Sequence, residues 1–180
     1  MFRSAAAISA AVFAALLAAS AQAEEHLYSY ESVSPAARRL AATGLSFQFE
    51  RHLMGGARVS RVIQTGERGS AALKPAPEGA LGGTLTVILA GERPSGDLYE
   101  ILPEGDGKAF VQAICPGSER AWLLIGPLER FRDLKLEALG RAAGQAAAHK
   151  CVALDFAFHS EWLLPPDRNA PRARFPVNKP

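Results

Sequence analysis

The chain has 180 residues, two cysteines and a formal net charge of +2, with 48% hydrophobic and 21% charged residues. This is the composition of an ordinary globular chain and excludes a disordered, collagenous or polytopic membrane protein. The near balance of charge gives no electrostatic ground for binding nucleic acid.

Residues 1–23 read as an export signal. Arg3 supplies a positive n-region, Ala5 to Ala18 is an apolar run, and Ala21-Gln22-Ala23 is a small-x-small cleavage site. Cleavage between Ala23 and Glu24 predicts a periplasmic or secreted protein. The run is short for a membrane span of about 20 residues, and no later stretch is apolar for long enough to be one. No cysteine follows the cleavage site to carry a lipid anchor.

Residues 24–164 are expected to form one β-rich domain. Ser34-Pro35 followed by Ala36-Ala37-Arg38-Arg39-Leu40 is a helix start, with a serine cap and proline in the first turn, and Gly44 is its expected end. From Leu45 the period changes to two, as Leu45, Phe47 and Phe49 alternate with polar residues. With Gly55-Gly56 as the break and the β-branched run from Arg58 to Gln64, residues 45–64 read as a hairpin. Residues 66–83, rich in glycine and with little periodicity, read as the longest internal loop.

Closely spaced strands are then expected at 84–90, 98–102, 108–115, 121–125, 131–139 and 150–159, with 142–148 as a long connection or a single helical turn. Gly105-Asp106-Gly107-Lys108 superficially matches a phosphate loop, but between two expected strands it reads as a hairpin turn. The predicted fold is mainly β: an antiparallel sandwich or a rolled, barrel-like sheet of about seven or eight strands with one short N-terminal helix.

Cys115 and Cys151 both lie in the exported part, where thiols oxidise, and predict one disulfide. Its loop is worth about 3–4 kcal/mol in the chain-entropy model. In a flat meander the two cysteines would sit three strand spacings, about 14 Å, apart. A disulfide needs Cα atoms within about 7 Å, so the sheet must roll up or the last strand must return beside an earlier one. Residues 165–180 carry prolines, three arginines and one lysine against Asp167, and read as an extended basic tail suited to peripheral contact with an anionic surface.

No Gly-x-Ser-x-Gly elbow, His-Glu-x-x-His helix, phosphate-binding Gly-x-x-x-x-Gly-Lys-Ser/Thr loop or Cys-x-x-Cys-His haem motif is present. The best polar constellation is on the last strand, where Asp155 and His159 share a face with Ala153 and Ala157, opposite Val152, Leu154, Phe156 and Phe158. Four residues apart on a strand, the two are about 13 Å from each other. A metal or acid–base pair there needs a third group, for which His52, His149 and Glu161 are available. Arg51, Arg58 and Arg61 around the first hairpin, with Arg38 and Arg39 nearby, form a second candidate site suited to carboxylate or phosphate.

These features predict an exported non-enzymatic binding or cell-envelope interaction protein, without cofactor, whose partner is a protein or an envelope component. The alternative is a carrier that encloses a small apolar ligand among the phenylalanines of 45–49 and 154–158. A third reading is a metal-dependent or hydrolytic enzyme using Asp155 and His159.

Overall fold

The structure, a computed structural model, describes residues 24–51, 56–66 and 69–164. The predicted export signal, His52 and the basic tail lie outside the described residues. His26, Tyr28 and Tyr30 alternate with Leu27, Ser29 and Glu31, and this period of two makes Glu24–Ser32 the first strand, β1, with all three rings buried. The alternation expected from Leu45 thus begins one strand earlier.

Helix α1, Pro35–Leu40, is capped by Ser34, whose hydroxyl accepts from the Ala37 amide at 3.2 Å. It ends at Leu40 rather than Gly44, because the Ala41 N–H closes the last turn on the Ala37 carbonyl. Gly44 instead starts the return, at a φ of 116° where a Cβ would collide with the Tyr30 carbonyl. The hairpin follows as expected, with β2 at Leu45–Arg51 and β3 at Ala57–Gln64.

Three expectations for the middle of the chain are corrected. Inside the expected loop 66–83 lies a strand, β4, Ser70–Pro75, which buries Ala71 and Leu73 at a spacing of two. The expected strand 84–90 is a single helical turn, α2, Leu85–Ile88, despite its β-branched residues. It lies on the outside of the sheet, where Leu81, Leu85, Ile88 and Leu89 cover apolar side chains of the barrel, so tertiary packing overrides strand propensity. After β5, Asp97–Ile101, the expected strand 108–115 is helix α3, Gly107–Ile114. Its buried Phe110, Val111 and Ile114 follow the i, i+1, i+4 spacing of a helix face. Gly105-Asp106-Gly107-Lys108 is therefore a helix start and not a hairpin turn. The Asp106 carboxylate accepts from the Ser70 amide, so the position holds an acid.

The chain closes with β6, Arg120–Ile125, β7, Leu134–Arg141, and the long β8, His149–Leu163. All eight strands are antiparallel and follow sequence order around a closed barrel, in which β1 pairs with both β2 and β8. The rolled-sheet alternative is the one present, and the disulfide joins Cys115 to Cys151 with Cα atoms 5.4 Å apart. Its short reach has a cause beyond rolling: Cys115 is on no strand but at the C-terminus of α3, which folds over the barrel toward the start of β8.

Alternating strand directions sort the connections. The helix end of the barrel gathers α1, the β3–β4 turn, α3 and residues 142–148. The loop end gathers the β2–β3 and β4–β5 connections, loop 126–133 and residues 24 and 164. Phe110, Val111 and Ile114 of α3 and Ala37 and Leu40 of α1 join the interior cluster at the helix end, and Leu128 joins it at the loop end.

Between these stoppers the interior is filled by side chains. Tyr28, Leu45, Phe47 and Phe49 are 0% exposed and Phe156 1%, so no water-sized space adjoins them. A second cluster lies outside the barrel, where Trp122, Leu124 and Leu139 are covered by Leu81, Leu89 and Ala148. Arg120 and Arg141 stack on Trp122 with their guanidinium carbons 5.2 and 5.3 Å from the ring centre.

Elsewhere the outward positions hold Glu50, Arg58, Arg61, Lys135 and Asp155, all exposed. An apolar inside and charged outside is the reverse of the lipid-facing pattern of membrane-spanning barrels. Among the described residues no helix is long and apolar enough to cross a membrane.

Because the Phe47 ring fills the barrel, Phe47→Ala should cost about 3–5 kcal/mol of unfolding free energy in a urea titration. Phe131→Ala, at a 76% exposed position, should cost less than about 0.5 kcal/mol or even stabilise. Equal losses would contradict the interior described here.

Candidate functional site

The loop end carries the richest chemistry of the described residues. The alternation of β1 turns His26 and Tyr28 inward there, β2 delivers Phe49 and Arg51, and β8 delivers Phe158 and Glu161. A register shift in the β1–β8 pairing between Ser29 and Tyr30 puts both Phe158 and Glu161 opposite inward-facing β1 residues. The His26 ring stacks on Phe49 with centroids 5.4 Å apart, and Tyr28 meets Phe49 and Phe158 edge-on at 4.7 and 5.6 Å.

The polar tips of these rings converge. Glu161 accepts from His26 Nδ1 at 3.2 Å and from Arg130 Nε at 2.8 Å. Arg51 donates to the Tyr28 hydroxyl at 2.9 Å. Burial raises the Tyr28 pKa above its ordinary value, against the pull of Arg51 and with a further push from Glu161. Deeper inside, the Tyr30 hydroxyl is buried without a hydrogen-bond partner, and burial also drives its pKa up.

Loop 126–133 lies across this end and is pinned at three points: Leu128 in the core, Arg130 on Glu161, and Phe131 edge-on to Phe158 at 5.6 Å. Phe131 has a φ of 62° and is 76% exposed. An aromatic residue in the left-handed region is uncommon and costs about 1–3 kcal/mol.

Beside the loop the barrel wall has a seam. The β3–β4 ladder stops at Arg61–Ala72, and β4 turns to pair with β5 through Leu73 to Pro75. The Tyr99 hydroxyl bridges the gap from inside, donating to the Ala57 carbonyl at 3.1 Å and accepting from the Val59 amide at 3.2 Å. Burial raises the Tyr99 pKa, and the Val59 amide opposes the rise. Two shallow clefts of about 370 and 360 Å³ flank the seam and share Gly56, Ala57, Asp97 and Tyr99.

A larger cleft of about 610 Å³ lies on the flank between α3 and the outer face of β5 and β6. Its floor is Glu100, 7% exposed, which accepts from Lys74 Nζ at 3.1 Å and from Arg120 Nε at 2.9 Å. Burial pushes the Glu100 carboxyl up, but hydrogen bonds and charge from Arg120 and Lys74 outweigh it and hold the pKa below the usual value.

The residues singled out from the sequence are scattered over this frame. Arg51 belongs to the loop-end network, and Arg58 borders the seam. Arg61 lies on the outer wall and donates to Ser70 Oγ at 3.2 Å. Asp155 and His159 share the outer face of β8, as alternation requires, but among the described residues neither His149 nor Glu161 joins them. The backbone of Asp155 bonds to Ser34, and His159 Nδ1 lies 3.0 Å from Glu31 in solvent. Glu161 sits with His26, and His149 lies at the opposite end beside the disulfide.

Sequence reasoning did not single out His26, Tyr28, Arg130 or Phe131. The His-x-Tyr-x-Tyr alternation from residue 26 is the signal that marks the first two. Nothing local marks Arg130 or Phe131, whose roles depend on β8 across the barrel end.

As chemistry, the loop end presents fixed arginines, the carboxylates of Glu161 and Glu24 about His26, and aromatic rings, a set suited to recognition. His26 is not hydrogen-bonded to any hydroxyl or thiol among the described residues. Compared with known protein families, characterised proteins and solved structures, the chain matches none.

Glu100 supports a test with a defined sign. A carboxyl whose pKa is lowered on folding contributes stability above its unfolded value, about 4.3, and loses that contribution as the pH falls through the folded value. Glu100→Gln should therefore destabilise by about 1–3 kcal/mol at pH 7, and the gap from the parent should close below about pH 4. A gap independent of pH from 7 to 3 would show that the carboxylate charge is not the stabilising element.

Proposed function

We propose that this is an exported, non-enzymatic binding protein that engages a protein or cell-envelope component through the loop end of its barrel. The observation that carries the reading is Phe131. A turn with no further role would place glycine or asparagine at a φ of 62°. Here the backbone holds an exposed aromatic ring at that cost. Trp162 and Leu163, 61% and 65% exposed, emerge at the same end. Exposed aromatic and aliphatic side chains beside anchored arginines have the composition of interface hot spots.

A filled interior favours this reading, since side chains occupy the space that an enclosed ligand would take. A carrier of small apolar molecules is the second reading, supported by the barrel itself and by the unpartnered Tyr30 hydroxyl. It requires loop 126–133 to lift and the interior to repack. Export itself rests on residues 1–23 and on the disulfide, which suits an oxidising compartment.

The test is site-specific photocrosslinking in cells of the native host, with a photoreactive residue at position 131 and, as a control on the outer wall, at position 61. The expected result is a discrete heavier adduct from position 131 and none from position 61. Adducts from both positions alike, or from neither, would remove the loop end as the recognition face. Native mass spectrometry of the purified protein separates the second reading, which requires extra mass that is lost on denaturation.

A further inference from the structure

At the helix end, away from the proposed recognition face, Cys115 Sγ, Cys151 Sγ and a ring nitrogen of His149 lie within 4.8 Å of one another. We propose that these three side chains form a redox-gated site for a borderline-soft divalent cation of the zinc class. The site is shut while the disulfide is intact and opens once a dithiol reductant has cleaved it.

The donor set and its spacing carry the inference. Two thiolates and an imidazole are preferred zinc ligands, and three protein ligands leave one tetrahedral position for water. Bonds of about 2.3 Å to sulfur and 2.0–2.1 Å to nitrogen put tetrahedral donors about 3.5–3.8 Å apart. His149 Nε2 is already 3.7 Å from Cys151 Sγ. The Cα atoms of the two cysteines, 5.4 Å apart, let the sulfurs move from bonding distance to that spacing by side-chain rotation. Two thiolates also neutralise a divalent cation, so no net charge is buried.

The surroundings add two independent observations. Gly140 on β7 faces both sulfurs, and a Cβ there would collide with Cys115 Sγ, Cys151 Sγ and Ser118 Oγ. The missing side chain makes the room that the two sulfurs and the Ser118 hydroxyl occupy together. The Ser118 hydroxyl at this junction is 1% exposed and has no hydrogen-bond partner among the described residues. A metal-bound thiolate would give it an acceptor, as outer hydrogen bonds to zinc ligands commonly do. Cys115 is 1% exposed, Cys151 is half-buried and His149 is exposed, so reductant and metal both approach from the Cys151 side.

The reaction balances. A thiolate of the reductant attacks Cys151 Sγ, forming a mixed disulfide and releasing Cys115 as the thiolate. The reductant's second thiol then displaces Cys151, so the reductant leaves as its own disulfide with both electrons accounted for. Binding of the cation to the freed pair and to neutral His149 releases the two thiol protons.

The experiment titrates zinc into the full mature chain, oxidised or reduced by a phosphine that contributes no thiol, with a chromophoric chelator as competitor. Reduced protein should take up one equivalent and oxidised protein none. His149→Ala should weaken binding at least tenfold, whereas His159→Ala, on the outer face of β8, should leave it unchanged. Cobalt(II) in place of zinc should give a thiolate charge-transfer band and tetrahedral ligand-field bands that His149→Ala alters. If reduction unfolds the chain, the two histidine variants will bind alike. That result, stoichiometric uptake by oxidised protein, or no uptake by reduced protein would each overturn the proposal.

Discussion

The filled interior is the constraint on which the rest of the molecule depends. Eight strands make a barrel just wide enough for side chains to meet across it, and here Tyr28, Phe47, Phe49 and Phe156 meet there with no solvent beside them. Filling the centre makes the wall rigid and leaves the ends and the outer faces as the surfaces open to other molecules. The two ends then diverge in character. The helix end is closed by α1 and α3, which carry mainly apolar contacts inward. The loop end is closed by one buried leucine and a polar network, so charged and aromatic groups remain at its surface.

That division also explains why the polar residues of the loop end tolerate partial burial. His26 and Glu161 are taken out of water together and satisfy each other, with Arg130 as a third member. Removing one member of such a set leaves a partner unpaired, which is costlier than never having buried the group. The network is therefore more persuasive as a device for fixing the position of loop 126–133 than as a source of net stability. Tyr99 has an analogous role at the seam, where a side-chain hydroxyl satisfies backbone groups that a continuous ladder would have paired.

Strands β2, β3 and β5 to β8 were legible in the sequence, from alternation, β-branched runs and the spacing of turn residues, and so was the serine-capped α1. The disulfide was legible from the two cysteines, and the sheet is rolled as their pairing suggested, although that argument placed Cys115 at the end of a strand and it lies at the end of α3. Lys108 to Cys115 and Thr84 to Ala90 misled because both are short, mainly apolar runs that include β-branched residues, in which periodicity cannot separate a buried strand from a helix. Only their packing decides, against the barrel end for one and its outer wall for the other. The loop-end site was hardly legible, since Glu161 faces His26 only through a register shift in the closing pair of strands. Arg51 was chosen from the sequence as one of a basic cluster. It stands instead over the rings of Tyr28 and Phe49, 5.9 Å from each centroid.

The pairing of β1 with β8 bears on how this chain must reach its native form. Every other strand pair links neighbours in sequence, so seven strand pairs can zip up locally with little loop-closure entropy, and only the final seam joins the two ends of the chain. A chain synthesised amino end first has β1 in place long before β8 emerges. Throughout that interval β1 offers an unpaired edge with its aromatic rings exposed, which is the state most open to wrong partners. The fifteen residues of β8 therefore act as a closing strip, and the interval before it arrives is when the nascent protein has most need of protection from its own kind.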